Sequence, residues 1–338
     1  MVLALPVVTE VWHIYVLIGL LQAGSAAFTP TFQAVIPDIV TGESDYTRAL
    51  SASQVAATME SLLSPVLAAV ALTFMSFDRL FLGTSAGFLV SAVLVLSTRI
   101  PDARPSTHSS AWDRAASGIR TFLRTPRLRG VMALNLVVAA AGSIVVVNTV
   151  NYIRDTLGGS QSHVAWRLAA SGTGTLLAAL VLPRVLDRIA ARTVMMTGAA
   201  ALVAGTAAAV TLISAGLTTW AGTAIIWTVI GIGMALIITP TGKVPRASVG
   251  RNAIPEAFAA QFSLSHLTWL ITYPIAGRLG TGVGFTPAWS VLAVLAAAGA
   301  CGALLLWPRH DGRGMATSPV TPARHAPVTD RPALSEAA

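Results

Sequence analysis

Charge is what this sequence has least of. Asp, Glu, Lys and Arg make up 11% of its 338 residues, where an ordinary soluble domain carries about 25%. That shortage excludes a disordered chain and most soluble enzymes, because too few charges remain to clothe a water-facing surface. Cysteine is nearly absent: Cys301 stands alone, so neither an intrachain disulfide nor a cysteine-rich metal framework is available. No Lys or Arg precedes Arg48, and the basic opening of a secretory signal is therefore missing.

Catalytic and metal motifs are lacking too. His108, His163, His310 and His325 are scattered without the spacing of a metal site. Gly172 and Gly174, or Gly277, Gly280, Gly282 and Gly284, follow no strand and lead into no Lys-Ser/Thr pair, so they are not phosphate loops. Ser61 and Ser64 have no hydrolase context. Neither an enzyme, a bound metal nor a cofactor is expected.

What the sequence has in quantity is apolar length. Hydrophobic residues make up 54% of it, and the mean hydropathy is +0.71. Nine runs of at least 18 residues carry few charges: Val11–Ile36, Leu50–Phe74, Leu80–Thr98, Val131–Val150, Val164–Leu182, Val194–Ser214, Thr218–Ile238, Glu256–Gly277 and Pro287–Trp307. Each is long enough to cross a hydrocarbon layer of about 30 Å as a helix. The runs are continuous and rich in Ala and Leu, which favours helices over the alternating strands of a barrel. The expected fold is all-α, a polytopic membrane bundle. Trp12, Trp166, Trp220, Trp289 and Trp307 fall near run ends, where an indole suits the membrane interface.

The basic residues divide between the connections. Eighteen of the 22, among them Arg48, the cluster Arg99–Arg129, Arg184, Arg188, Arg192, Lys243, Arg246 and Arg251, lie on one side; Arg79, Arg154, Arg167 and Arg278 lie on the other. Excess Lys and Arg mark the cytoplasmic side, which places the C-terminal tail inside the cell membrane and Met1 outside. The pI of about 10.9 is thereby explained without nucleic acid. The chain thus divides into four parts: an incomplete helical half over 1–99, a basic cytoplasmic linker over 100–130, a six-helix half over 131–307, and a proline-rich disordered tail over 308–338.

Polar residues within the runs are the candidates for function. Glu60 lies near the middle of the second run, where a carboxylate costs roughly 2.5–3.5 kcal/mol to insert, so it is read as a proton-coupling group or as a hydrogen-bonding residue between helices. His266 is central in the eighth run and titrates near neutrality when unperturbed; one interhelical hydrogen bond would also account for it. Trp269 and Tyr273 come after it at i+3 and i+7, an aromatic stripe suited to a partly aromatic substrate or to packing. Gln22 and Gln33, eleven residues apart, share a face of the first run. Asn135, Ser143, Asn148 and Asn151 form a polar stripe on the fourth.

An internal repeat supports duplication. Thr29-Pro30-Thr31 ends the first run and Thr239-Pro240-Thr241 the seventh; each is succeeded by a charged loop and then by a run with a late proline, Pro65 or Pro274. With these landmarks the chain resembles the major facilitator superfamily, two six-helix halves joined by a long cytoplasmic loop. It is most similar to the drug and siderophore exporter branch typified by the enterobactin exporter. Val11–Val40, with Trp12, Tyr15, Phe28, Pro30, Ala34 and Pro37, resembles the fourth family helix, and Arg48-Ala49-Leu50 with Ser64-Pro65 resembles the fifth. Glu60, Ser64, Ala68 and Ala69 stand where the family's antiporter motif has glycines. Leu182 to Arg192 looks like the second-half copy of the cytoplasmic loop signature.

The resemblance implies family helices four to twelve, so three spans are expected ahead of Met1. It also implies a secondary transporter that exports a small amphipathic molecule against protons. Gln22, Gln33, Asn148, Asn151, Trp269 and Tyr273 would face the substrate, Glu60 and His266 would couple protons, and Asp187, Arg188 and Arg192 would latch the cytoplasmic gate. The expected partners are the bilayer, a small-molecule substrate and protons, with the chain a monomer. Alternative readings are a truncated, nonfunctional remnant, an interaction subunit, or a metal-ion exporter of the same superfamily.

Overall fold

The computed structural model describes residues 8, 10–40, 42–74, 77–97, 110–250 and 253–308. The proposed tail from 309, most of the linker before Ser110 and the side chain of Gln33 lie outside the described residues. Contacts divide the chain after Trp307, and all the helices belong to the unit before that point.

Among the described residues there is no strand. The order is α1 (Val11–Ile39), α2 (Glu43–Phe74), α3 (Phe77–Ser97), α4 (Ala111–Arg124), α5 (Pro126–Thr156), α6 (Gln161–Leu186), α7 (Ala191–Ser214), α8 (Trp220–Thr241), α9 (Lys243–Ser248), α10 (Ile254–Pro274) and α11 (Phe285–Leu306). A helix stands over each of the nine predicted runs, and α4 and α9 are additional. Five helical segments, Pro126–Thr156, Ser162–Leu186, Ala191–Ser214, Trp220–Ser248 and Phe285–Leu306, are long and apolar enough by themselves to cross a membrane.

Local chemistry sets several boundaries. Ser110 caps α4 by accepting from the Asp113 amide at 3.1 Å, and Thr219 caps α8 by accepting from the Gly222 amide at 3.0 Å, each satisfying a donor the first turn leaves unpaired. Pro126 opens α5, a position where its missing N–H costs nothing. The second helix begins at Glu43, ahead of the apolar run that predicted it, because its first turns are polar and stabilised by an Arg48–Asp45 pair at 3.4 Å.

In the C-terminal bundle α6 packs on α8, α5 on α11, and α7 against both α8 and α11; α2 lies along α6, and α1 and α4 lie on α10. The α6–α8 crossing is made by glycines: a Cβ on Gly231 would collide with the Ser171 carbonyl oxygen, and one on Gly174 with that of Thr228. Thr175 Oγ1 then reaches across to donate to the Gly231 carbonyl at 3.0 Å.

Two tryptophans expected at the interface are buried instead. Trp289 is 1% exposed and Trp307 3%. The indole N–H of Trp289 donates to Asn148 Oδ1 at 3.2 Å, and its ring meets Tyr152 at 4.7 Å and Trp227 at 5.9 Å. Trp307 fills the space left by Gly130, where a Cβ would stand 2.8 Å from the indole. Trp12, Trp166 and Trp220 are exposed. The difference is one of partners: an indole with a buried acceptor or a facing glycine gains more by packing than by sitting at the interface.

Candidate functional site: a cavity between two groups of helices

A cavity of about 370 Å³ lies between α1 and α2 on one side and α5, α8 and α10 on the other. Helical periodicity builds its walls. From α2 come Leu50, Ser53, Gln54 and Ala57, at i, i+3, i+4 and i+7; from α10 come Phe258, Gln261, Phe262, Ser265, His266 and Trp269, again at three- and four-residue steps. Asn135 and Val138 of α5 and Thr239 of α8 add to the wall from the other helices. Phe258, Phe262, Trp269 and Val138 supply an apolar lining into which a few polar groups project, the usual composition of a small-molecule site.

The polar groups are incompletely paired. Gln261 Nε2 donates to Asn135 Oδ1 at 3.3 Å, and both residues are more than nine-tenths buried. Asn135 Nδ2, Gln261 Oε1 and Thr239 Oγ1 are buried without a hydrogen-bond partner. Each such group costs about 1–3 kcal/mol if left dry, and a ligand or an ordered water in the cavity would satisfy it. His266 Nδ1 lies 2.8 Å from the Phe262 carbonyl, one turn earlier on its own helix, and the ring lies 4.0 Å from that of Phe262. An Nδ1–H donated to that carbonyl leaves Nε2 of the neutral ring as a free acceptor.

At the end carrying Arg48, Lys243 and Arg246, α2 meets the α8–α9 junction. The Tyr46 hydroxyl of α2 donates to the Gly242 carbonyl at the α8–α9 junction at 3.0 Å. The Arg246 guanidinium sits 4.4 Å from the Tyr46 ring centre, a cation–π contact. Tyr46 is fully buried there, with Thr47 next to it and Ser51 on the following turn also buried. Gly242 suits the close approach, since a Cβ would stand 3.0 Å from the Leu50 side chain and 3.2 Å from the tyrosine hydroxyl.

A family model described as Major Facilitator Superfamily matches residues 131–336, more than half of the chain. The chain belongs to that superfamily. It is therefore a multi-pass membrane protein of a secondary-transporter family, and the match takes in α5 to α11. No curated protein matches it.

Within this major facilitator protein the predicted residues separate into groups. His266 and Trp269 both line the cavity, while Tyr273 stands one turn further on, edge-on to Trp269 at 5.0 Å and outside the lining. Glu60 is exposed on α2, one turn beyond Ala57 on the same face. Gln22 is exposed on α1. Asn148 is committed to protein at both ends: Nδ2 donates to the Ala276 carbonyl at 2.9 Å, and Oδ1 accepts from Trp289. Asn151 is half-buried, on the turn after Asn148. Asp187 and Arg188 lie at the end of α6, and Asp187 makes no ion pair among the described residues. Arg192 donates from Nη2 to the Trp307 carbonyl at 3.3 Å, tying the start of α7 to the end of α11.

Tyr46, Gln54 and Gln261 are site residues that the sequence alone does not single out, and Asn135 and Thr239 stand out there only as members of a polar stripe and of the Thr-Pro-Thr repeat. Gln261 has a legible signal: it is an amide within the eighth apolar run, five residues before His266. Asn135 belongs to the polar stripe of the fourth run, but the π-helical turn at Ile144–Asn148 breaks the register between it and Asn151. Such a wide turn takes an extra residue and rotates the later part of the helix about its axis.

Proposed function

We propose that this protein exports a small amphipathic molecule, of drug or siderophore type, in exchange for protons. The two helix groups rock about the cavity so that it faces each side of the cell membrane in turn. The observation that carries this reading is the place of the cavity. It is bounded by α1 and α2 and by α5, α8 and α10, and Gly242 in its wall accepts the hydrogen bond from Tyr46. The positive-inside rule makes the end carrying Arg48, Lys243 and Arg246 cytoplasmic, so Tyr46 and Arg246 form the inner gate, with Asp187, Arg188 and Arg192 at the same side.

Coupling is assigned to His266, whose imidazole lines the cavity, with Glu60 one turn past Ala57 as the carboxylate of the relay. Full-length protein reconstituted as a monomer into vesicles should accumulate a fluorescent amphipathic dye only while a pH gradient is imposed. His266→Gln should abolish the gradient dependence. Accumulation without a gradient overturns proton coupling, and an unaltered dependence in the variant removes His266 from the relay.

A further inference from the structure

We propose that Asn135 and Gln261 form a recognition element for a neutral carboxamide or lactam edge, and that the cavity selects uncharged amides bearing an aromatic or apolar body. This rests on reading the cavity as the transport site. The two amides come from different helices, α5 and α10, and bond to one another through a single N–H···O contact of 3.3 Å. That contact uses one donor of Gln261 and the oxygen of Asn135. It leaves Asn135 Nδ2 as an unpaired donor and Gln261 Oε1 as an unpaired acceptor, both buried and both on residues that line the cavity. Rotating both amides by half a turn exchanges the roles yet still leaves one donor and one acceptor.

A ligand edge that closes the pair must present an acceptor and a donor side by side. A primary carboxamide or a lactam does so, whereas a carboxylate offers acceptors only, an ammonium donors only, and a ketone no donor at all. Charge reinforces the choice. No Asp, Glu, Lys or Arg lines the cavity among the described residues, so an ammonium ligand would be desolvated without a counter-charge, and so would a carboxylate while His266 is neutral. Thr239 Oγ1, also buried and unpaired, adds a third hydrogen-bonding position from α8. Phe258, Phe262 and Trp269 on the same face of α10 as Gln261 then receive the body of the ligand, and a volume of about 370 Å³ restricts it to a small one.

The test uses three molecules of one shape, 2-naphthamide, 2-naphthoate and methyl 2-naphthyl ketone, with binding measured on the purified full-length protein in detergent. The carboxamide should bind more tightly than either isostere by about tenfold or more, because a site built to hydrogen-bond an edge rejects the analogue that lacks it. Asn135→Leu combined with Gln261→Leu replaces both partners by apolar groups of similar size, a change that protein cores tolerate. It should bring amide and ketone to equal affinity while the ketone itself is still bound. Wild-type protein that binds amide and ketone equally, or binds none of the three, overturns the proposal, as does discrimination that survives in the double variant. Vesicle transport separates this inference from the reading beneath it. Selective binding of the carboxamide without its movement across the membrane would refute the transport reading alone. Dye transport by a protein that ignores the amide edge would refute the recognition element alone.

Discussion

Gly231→Val is expected to abolish recovery of folded protein. At this crossing α6 and α8 meet backbone to backbone, and any Cβ on Gly231 runs into the Ser171 carbonyl oxygen, which cannot rotate away as a side-chain tip would. The contact is reciprocated by Gly174 against the Thr228 carbonyl, and the Thr175 hydroxyl donates to the Gly231 carbonyl. Relief therefore requires the helices to separate, losing the close packing that holds membrane helices together where no hydrophobic force distinguishes lipid from protein. The cost should exceed about 3 kcal/mol. Gly87→Val on α3, where a Cβ meets nothing within 4 Å, is the control and should behave nearly as the parent. Size-exclusion chromatography in detergent reads both: a monodisperse peak for Gly87→Val and an aggregate for Gly231→Val. A monodisperse Gly231→Val protein would contradict the described crossing.

Ala57→Trp should have the opposite profile, a folded protein without transport. Ala57 is exposed on α2 and lines the cavity, so an indole there displaces no packed neighbour but projects into a space of only about 370 Å³. Dye accumulation in vesicles should fall to the level of empty vesicles while the size-exclusion profile stays unchanged. Undiminished accumulation would mean that the substrate passes elsewhere.

The spans are legible in the sequence because an apolar run of 18 residues or more has few uses outside a bilayer, and the backbone must satisfy its own hydrogen bonds there. Gates and partners are harder to see. Tyr46 precedes the run that predicts α2, so a search confined to apolar stretches passes over the residue that joins α2 to α8 and α9. Distance to a run end places Trp289 and Trp307 at the interface, but burial depends on what faces them, Asn148 and Gly130, and those partners are far away in sequence. His266 and Trp269 are visible because one helix carries both at i and i+3. The Asn135–Gln261 pair joins two helices 126 residues apart, a relation that periodicity along one run does not contain.

Thiol labelling tests most directly whether the space between the two helix groups opens to each side of the membrane in turn. Cys301 is the single cysteine and is exposed on α11, so Cys301→Ser gives a background without thiols into which Ser53→Cys, on the cavity face of α2, is introduced. In vesicles of known orientation a membrane-impermeant maleimide should modify the new thiol when added from either face alone. Labelling from one face only, or from neither, would contradict alternating access through this cavity.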